Sequence, residues 1–361
     1  MRVVIAPDKF KGRLTAAQAA DAIERGMRAV LRDAEFVALP MADGGEGTVD
    51  AFLRAGAQRH IAIVRGPLGD LIEAQFAMLG GTAVLEMAAA SGLELVPRER
   101  RDILHSDTYG TGQLLQAAID AGATRVILGV GGSATNDAGT GMLRALGAQF
   151  LDETGEVLDR AIARYARLDE IDLAHFDARV LHVPITVAGD VDNPLCGVNG
   201  AARTYAVQKG ANPAQVGLLD ATLEHIADVA ARTLGRDERM SPGAGAAGGL
   251  GYALLQFLNG RMERGVKVIA EELDLEGALH GAALCVTGEG KIDDQTLRGK
   301  AVSGVAAIAQ AERVPVVAFA GVVEPHAKQE LEERGVTVRQ ADSSVLESAA
   351  RDYARALERH V

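Results

Sequence analysis

Four segments of the sequence place carboxylates beside cations, hydroxyls or amides in a Gly-bearing turn at the carboxyl end of a short apolar run. They are Asp8-Lys9-Phe10-Lys11-Gly12, Gly131-Gly132-Ser133-Ala134-Thr135-Asn136-Asp137, Gly189-Asp190-Val191-Asp192-Asn193-Pro194 and Gly288-Glu289-Gly290-Lys291-Ile292-Asp293-Asp294. Gly, Asp and Asn make turns for conformational reasons alone, which accounts for any one of these segments. It accounts less well for the Lys, Ser and Thr that accompany the acids. In α/β sheets ligands bind outside the carboxyl ends of the strands, so the four turns are expected to border one crevice.

The residue types suit phosphoryl transfer, which needs positioning, a metal to spread charge over the phosphates, and a base near the attacking hydroxyl. Asp190 and Asp192 would supply two carboxylates to Mg²⁺ from one side of an extended turn, and Glu289 with Asp293 forms a second acidic pair. Lys11 and Lys291 can hold anionic oxygens. The N–H groups of Gly131-Gly132 and Gly44-Gly45 can approach phosphate closely because no Cβ blocks them.

Other chemistries fit less well. Gly290-Lys291 is followed by Ile292 and Gly299-Lys300 by Ala301, so no P-loop signature exists. Gly129-Val130-Gly131-Gly132-Ser133-Ala134 does match the dinucleotide fingerprint, with Asp152 about 20 residues further on, which makes a nicotinamide-dependent dehydrogenase the rival reading. The polar and small residues from Ser133 to Asp137 weigh against it, because a helix should already pack on the strand there. None of the 8 His lies near a Gly-x-Ser-x-Gly signature or forms a His-x-x-x-His pair.

The elements that must position these turns alternate short β-branched runs with longer helical ones, the pattern of α/β architecture with parallel strands. Residues 3–6 form a strand, and 15–31 a helix with Ala19, Ala22, Ile23, Met27 and Val30 on one face and Thr15 as N-cap. A strand over 35–39 and a helix over 47–55 follow. Extended segments at 61–64, 71–78 and 83–87 are separated only by Gly66-Pro67-Leu68-Gly69 and Gly80-Gly81, too little for crossover helices, so this stretch is antiparallel. Helices are expected over 111–121, 139–146, 213–234 and 248–257, and strands over 125–130 and 180–188. The stretches 283–287, 302–311, 314–320 and 345–357 return to β-α-β-α. That return pairs the two chain ends in one Rossmann-like three-layer α/β domain, residues 1–65 with 284–361, interrupted by a mixed-sheet α/β domain over 66–283. The active site is expected in the cleft between them.

A length of 361 residues implies two domains. With 48% hydrophobic and 24% charged residues the chain is globular, and its net charge of -12 with no basic run excludes nucleic acid as an expected partner. Two cysteines make no disulfide framework, and neither a signal peptide nor an apolar run long enough to span a bilayer is present, so a cytoplasmic protein without membrane contact is expected.

The chain carries, in order, Val4-Ile-Ala-Pro-Asp-Lys-Phe-Lys-Gly12, Pro40-Met-Ala-Asp-Gly-Gly-Glu-Gly-Thr48, Glu86-Met-Ala-Ala-Ala-Ser-Gly92, Tyr109-Gly-Thr-Gly112, the 131–137 turn, Asp190-Val-Asp-Asn-Pro-Leu195, Gln208-Lys-Gly210, Pro242-Gly-Ala-Gly-Ala-Ala-Gly-Gly249 and Thr287-Gly-Glu-Gly290. Taken together, these motifs resemble those of the bacterial glycerate kinase family. The resemblance implies ATP-dependent phosphorylation of glycerate to 2-phosphoglycerate, with another small hydroxy acid as the alternative acceptor. It brings Asp43, Glu46, Asn193 and Lys209 into the site alongside Asp8, Lys11, Ser133, Asn136, Asp137, Asp190, Asp192, Glu289 and Asp293. Within that set Asp190 and Asp192 would act through Mg²⁺ on ATP, while Lys11 and the 131–137 turn with Asn193 would orient glycerate. Asp8 or Asp293 would take the hydroxyl proton. Asp43, Gly44, Gly45, Glu46, Gly131, Gly132, Lys209, Glu289 and Lys291 would contact the nucleotide. The chain departs from the family at Lys9, where Ser is usual, Gly189, where Cys is common, Lys291, where Arg is common, and Asp294, where a small residue is common. Small-molecule partners only are expected, with the protein a monomer or homodimer.

Overall fold

The computed structural model describes residues 1–10, 12–297 and 299–359. The strands are β1 (Arg2–Ile5), β2 (Glu35–Ala38), β3 (Gln58–Arg65), β4 (Leu71–Leu79), β5 (Thr82–Glu86), β6 (Arg125–Gly129), β7 (Gln149–Asp152), β8 (Leu168–Asp172), β9 (Ile185–Ala188), β10 (Arg261–Glu263), β11 (Leu284–Ile292), β12 (Val316–Val323) and β13 (Val336–Gln340). The chain divides into two compact units, the first Met1–Asp43, Asp50–Gly56 and Arg264–Val361, the second Gly44–Val49 and Ala57–Glu263.

The first unit is built on a five-stranded sheet of order β13-β12-β11-β1-β2, parallel throughout. Val3, Val4 and Ile5 of β1 and Cys285 and Val286 of β11 are fully buried, as strands covered on both faces must be. On one face Val3, Ile5, Val286, Val317 and Phe319 pack with Ala19, Ile23 and Met27 of the helix Ala16–Arg28 and with Leu346, Ala350 and Ala354 of the helix Leu346–Glu358. Val4 and Cys285 alternate to the other face. There the helix Ala301–Ala311 lies on β11 and β12 and packs with the helices Gly265–Glu272 and Leu275–Leu279. Thr15 caps the first helix in a reciprocal box with Gln18, the N-cap its residue type predicts. The winding leaves β1 toward β2 on one side, and β11 toward β12 and β13 on the other. The switch point of this Rossmann-like, three-layer unit is therefore the β1/β11 pair, where doubly wound sheets bind ligands.

The second unit holds a mixed six-stranded sheet of order β10-β9-β6-β5-β4-β3. β3, β4 and β5 form the antiparallel run that the Gly-rich breaks require, while β5, β6, β9 and β10 are parallel. The carboxyl ends of β5, β6 and β9 therefore share one edge, and Glu86, the turn after Gly129 and the turn after Ala188 emerge together. Leu85, Leu128 and Val187 anchor one core with Leu114 and Leu115 of the helix Tyr109–Asp120 and Leu219, Leu223 and Ile226 of the helix Pro213–Leu234.

The units part at 57 and 264 rather than at 66 and 284. β3 is hydrogen-bonded along its length to β4, which places residues 58–65 in the second unit, whereas the two helices between 265 and 279 pack within the first. The extended stretch expected from Val180 shortens to β9, because residues 178–182 form a 3-10 turn capped by the Asp177 side chain. The helix expected from Gly248 starts at Leu250, since Ala247 and Gly248 are left-handed at φ 53° and 69°. No helix among the described residues is long and apolar enough to cross a membrane.

Candidate active site

At the switch point of the first unit, the Asp8 N–H donates to the Gly288 carbonyl at 2.8 Å, which sets Asp8 beside the stretch of β11 that carries Glu289. Asp8 is 6% exposed and Glu289 7%. Burial, then the charge of Asp43, pushes the Asp8 carboxyl up to about 7, against the Lys9 N–H at 2.7 Å and the ammonium groups of Lys9 and Lys300. Burial, with Asp8 and Asp293 adding charge, likewise pushes Glu289 up to about 8, although the Thr296 hydroxyl donates to it at 2.6 Å. Two buried acids that share a site cannot both ionise cheaply, and a carboxyl poised near neutrality is a candidate for proton transfer. Asp293 differs. Burial raises it, yet Lys291 at 3.2 Å and the N–H groups of Gln295 and Thr296 hold it below the usual carboxylate range. Lys291 is spanned between Asp293 and Glu324, at 3.2 and 2.5 Å.

In the second unit the turn after β6 is wedged into place by its neighbours. A Cβ on Gly44 (φ +82°) would stand 2.3 Å from the Ala188 carbonyl oxygen, and one on Gly131 would stand 2.6 Å from the Gly45 Cα, so only glycine permits this approach. The Gly131 N–H is spent on the Gly44 carbonyl at 3.2 Å and cannot serve as the anion donor that the sequence suggests. The fingerprint fails for a related reason: the following helix starts only at Thr140, so no helix N-terminus stands over residues 129–134. Beyond the glycines, Lys209 is 3% exposed and donates from Nζ to Ser133 Oγ at 2.6 Å and to the Thr135 carbonyl at 2.7 Å. Burial lowers Lys209 to about 7, with Asp137 opposing the shift.

Asn136 and Asp137 are both fully enclosed, in contrasting states. The Asn136 amide has no hydrogen-bond partner at either polar atom among the described residues, a state that few buried polar groups keep. Asp137 is saturated. Its Oδ2 accepts from the Thr108 N–H at 2.9 Å, the Thr108 hydroxyl at 2.8 Å and the Gly141 N–H at 3.0 Å, and its Oδ1 from Gly139 at 3.2 Å. Burial pushes its carboxyl up against those donors. Asp137, expected to bind substrate, ties together the starts of two helices. Glu86, which sequence reasoning passed over, does the same for the segment 47–49 by accepting from the N–H groups of Gly47 at 3.1 Å and Val49 at 2.7 Å.

On the turn after β9, Asp190 and Asp192 are exposed, whereas Asn193 is bound within the turn through Asn199, Thr204 and Tyr205. No group of three or more His, Cys, Asp or Glu that could hold a metal ion exists among the described residues. A pair of exposed carboxylates nonetheless fits Mg²⁺, which takes one or two of them and completes its shell with water and phosphate. Lys11 lies outside the described residues.

A Rossmann-like unit with buried carboxyls at its switch point, joined in one chain to a mixed-sheet unit whose strand ends carry Ser133, Asn136 and the exposed Asp190 and Asp192, is an α/β architecture suited to phosphoryl transfer. Comparison with known proteins agrees and narrows the class. A profile of the glycerate kinase family matches residues 3–360. Glycerate kinase of Bacillus subtilis (strain 168) is 47% identical over 326 residues, 90% of this chain and 85% of that protein. Glycerate 2-kinase of Escherichia coli (strain K12) is 47% identical over 325 residues, 89% and 85% of the two chains. A crystal structure assigned as a glycerate kinase 2 from Salmonella typhimurium LT2 superposes with a TM-score of 0.89 at 40% identity, covering 100% of this chain and 99% of that one. The chain belongs to the glycerate kinase family.

Proposed function

We propose that this protein transfers the γ-phosphoryl group of ATP to the 2-hydroxyl of D-glycerate, releasing 2-phosphoglycerate and ADP. The observation that carries the reading is Asp8. A buried carboxyl raised to about 7 at the switch point of a parallel sheet is matched to the task of taking a proton from an alcohol near neutral pH. Asp293, held in its ionised form by Lys291, is the weaker base of the two candidates. Glu289 keeps its proton to about 8 and so spares Asp8 a second full charge at close range.

In the second unit Ser133 and Asn136 meet the anionic end of the acceptor, with the glycines of 44–45 and 131–132 giving the turn its close fit. Asp190 and Asp192 would hold Mg²⁺, which when bound neutralises charge on the phosphate oxygens and favours their transfer. The same reading assigns Asp43 and Lys291 of the first unit, and Glu46 of the second, to the nucleotide.

The test is ADP release with D-glycerate, ATP and Mg²⁺, followed by phosphorus NMR of the product. Mg²⁺-dependent ADP formation with the phosphate on C2 is expected. A 3-phosphate would overturn the regiochemistry, and no ADP formation with glycerate would overturn the acceptor.

A further inference from the structure

We propose that Lys209 is a positioning residue that turns the Ser133 hydroxyl into a committed hydrogen-bond donor aimed at the carboxylate of the acceptor. The inference rests on the proposed function and moves Lys209 from the nucleotide, where the Gln208-Lys209-Gly210 motif suggests it belongs, to the acceptor.

The argument is one of donors and acceptors. A lysine ammonium donates and never accepts, so both Lys209 contacts are fixed in direction: Nζ gives one N–H to Ser133 Oγ at 2.6 Å and one to the Thr135 carbonyl at 2.7 Å. A serine oxygen that accepts a charge-assisted bond on one side must send its own hydrogen elsewhere. Ser133 retains 8% exposure, whereas Lys209 is 3% exposed, so the lysine acts from behind the hydroxyl. Ser133 then offers hydrogen to an anion. If Lys209 loses its proton, its lone pair can accept the Ser133 hydrogen, and the hydroxyl turns inward with only lone pairs left to face the carboxylate.

The two states interconvert near neutrality, since burial lowers Lys209 to about 7. The charged groups around it are few. Asp137 lies in the same turn and favours the ammonium. Arg101 donates to the Gln208 carbonyl at 3.2 Å. The adjoining helix Ala201–Tyr205 brings Arg203, paired with Asp220 at 2.8 Å, and Tyr205, whose hydroxyl goes to Asn193. The segment 242–249, which reaches the turn through Gly248, carries no titratable side chain. Protonated Lys209 therefore prevails below about pH 7, and its help to anion binding is lost as pH rises through that value.

The experiment is the KM for D-glycerate at saturating ATP from about pH 6 to about pH 9, in the wild type, Ser133→Ala and Lys209→Met, with the KM for ATP measured beside it. In the wild type KM for glycerate rises roughly tenfold across the range, the value of one hydrogen bond to a charged group. Both variants begin roughly tenfold higher and lose the slope, while KM for ATP stays within about twofold. Asp8 and Glu289 titrate in the same range in all three proteins, so the difference between profiles reports the Lys209–Ser133 pair. Should Lys209→Met fail to fold, Ser133→Ala decides alone. A Ser133→Ala enzyme that keeps the wild-type slope overturns the inference, as does a rise in KM for ATP with that for glycerate unchanged. Absence of wild-type turnover removes the proposed function itself, whereas turnover with either of those results removes only this inference.

Discussion

Asp8 ionises near pH 4 in an unfolded chain but keeps its proton to about 7 in the folded protein, so between those values the native state binds the extra proton. Stability contributed by this group is therefore full at low pH and declines as pH rises toward 7. Replacing Asp8 by Asn should raise the melting temperature above about pH 7 by the equivalent of about 2–4 kcal/mol, with the gain vanishing near pH 4. The same change should lower kcat by about 10² to 10⁴. In the wild type kcat should climb with pH through about 7. An Asp8→Asn enzyme of near-normal kcat would remove Asp8 from the chemistry. Asp192, exposed on its turn, should behave differently: Asp192→Asn should cut turnover by orders of magnitude and leave the melting temperature within about 1 °C, as surface substitutions do. Retained turnover would end its metal role. Both residues were legible as chemistry in the sequence because they end strands. Lys209 was legible only through the family's motif, since nothing in a lone Gln-Lys-Gly announces a lysine buried against Ser133.

Asp137 belongs to the scale of elements, because what it holds is the geometry of two helix starts. The first N–H groups of a helix have no partner within it, and at the helices Tyr109–Asp120 and Thr140–Ala145 the Asp137 carboxylate takes those of Thr108, Gly139 and Gly141, while Asp107 takes that of Tyr109 and the Thr108 hydroxyl that of Met142. Asp137→Asn sets an NH₂ group against donors and should destabilise the protein by about 3 kcal/mol, read as a shift in denaturant midpoint. If the midpoint holds while only KM for glycerate rises, Asp137 is a substrate ligand after all. The structural role of Asp137 was hidden for a physical reason: a carboxylate in a Gly-rich turn looks the same whether its donors come from a ligand or from Thr108, 29 residues away in sequence. Local signals fared better. The breaks at Gly66–Gly69 and Gly80-Gly81 gave away the antiparallel run, and Asn212 with Pro213 marks the start of the long helix that periodicity located. β7 and β8 escaped because Gln149–Asp152 and Leu168–Asp172 are short, half-polar and form a two-stranded sheet apart from the main ones.

For the whole molecule, the two units carry separate cores, one around Leu85, Leu128 and Val187, the other around Ile5, Val286 and Phe319. The second unit, which holds the core around Leu85, is drawn almost entirely from one continuous stretch, so residues 44–263 expressed alone should fold and melt cooperatively by circular dichroism. A featureless, non-cooperative melt would mean that this core needs the remainder of the chain. That the chain ends meet in one unit was legible from the return of the β-α-β-α style, whereas its limits were not, because β3 and the helices between 265 and 279 are assigned by pairing and packing partners rather than by their own sequences. The parallel pairing of Val3 with Leu284 also sets a timetable for biosynthesis. At about 5–20 residues per second the ribosome delivers β11 roughly 15 to 55 s after β1, and the entire second unit emerges in between. Throughout that interval Val3, Val4 and Ile5 have β2 on one side but lack β11 on the other, so the nascent amino-terminal segment carries an open apolar strand edge until the last third of the chain is made.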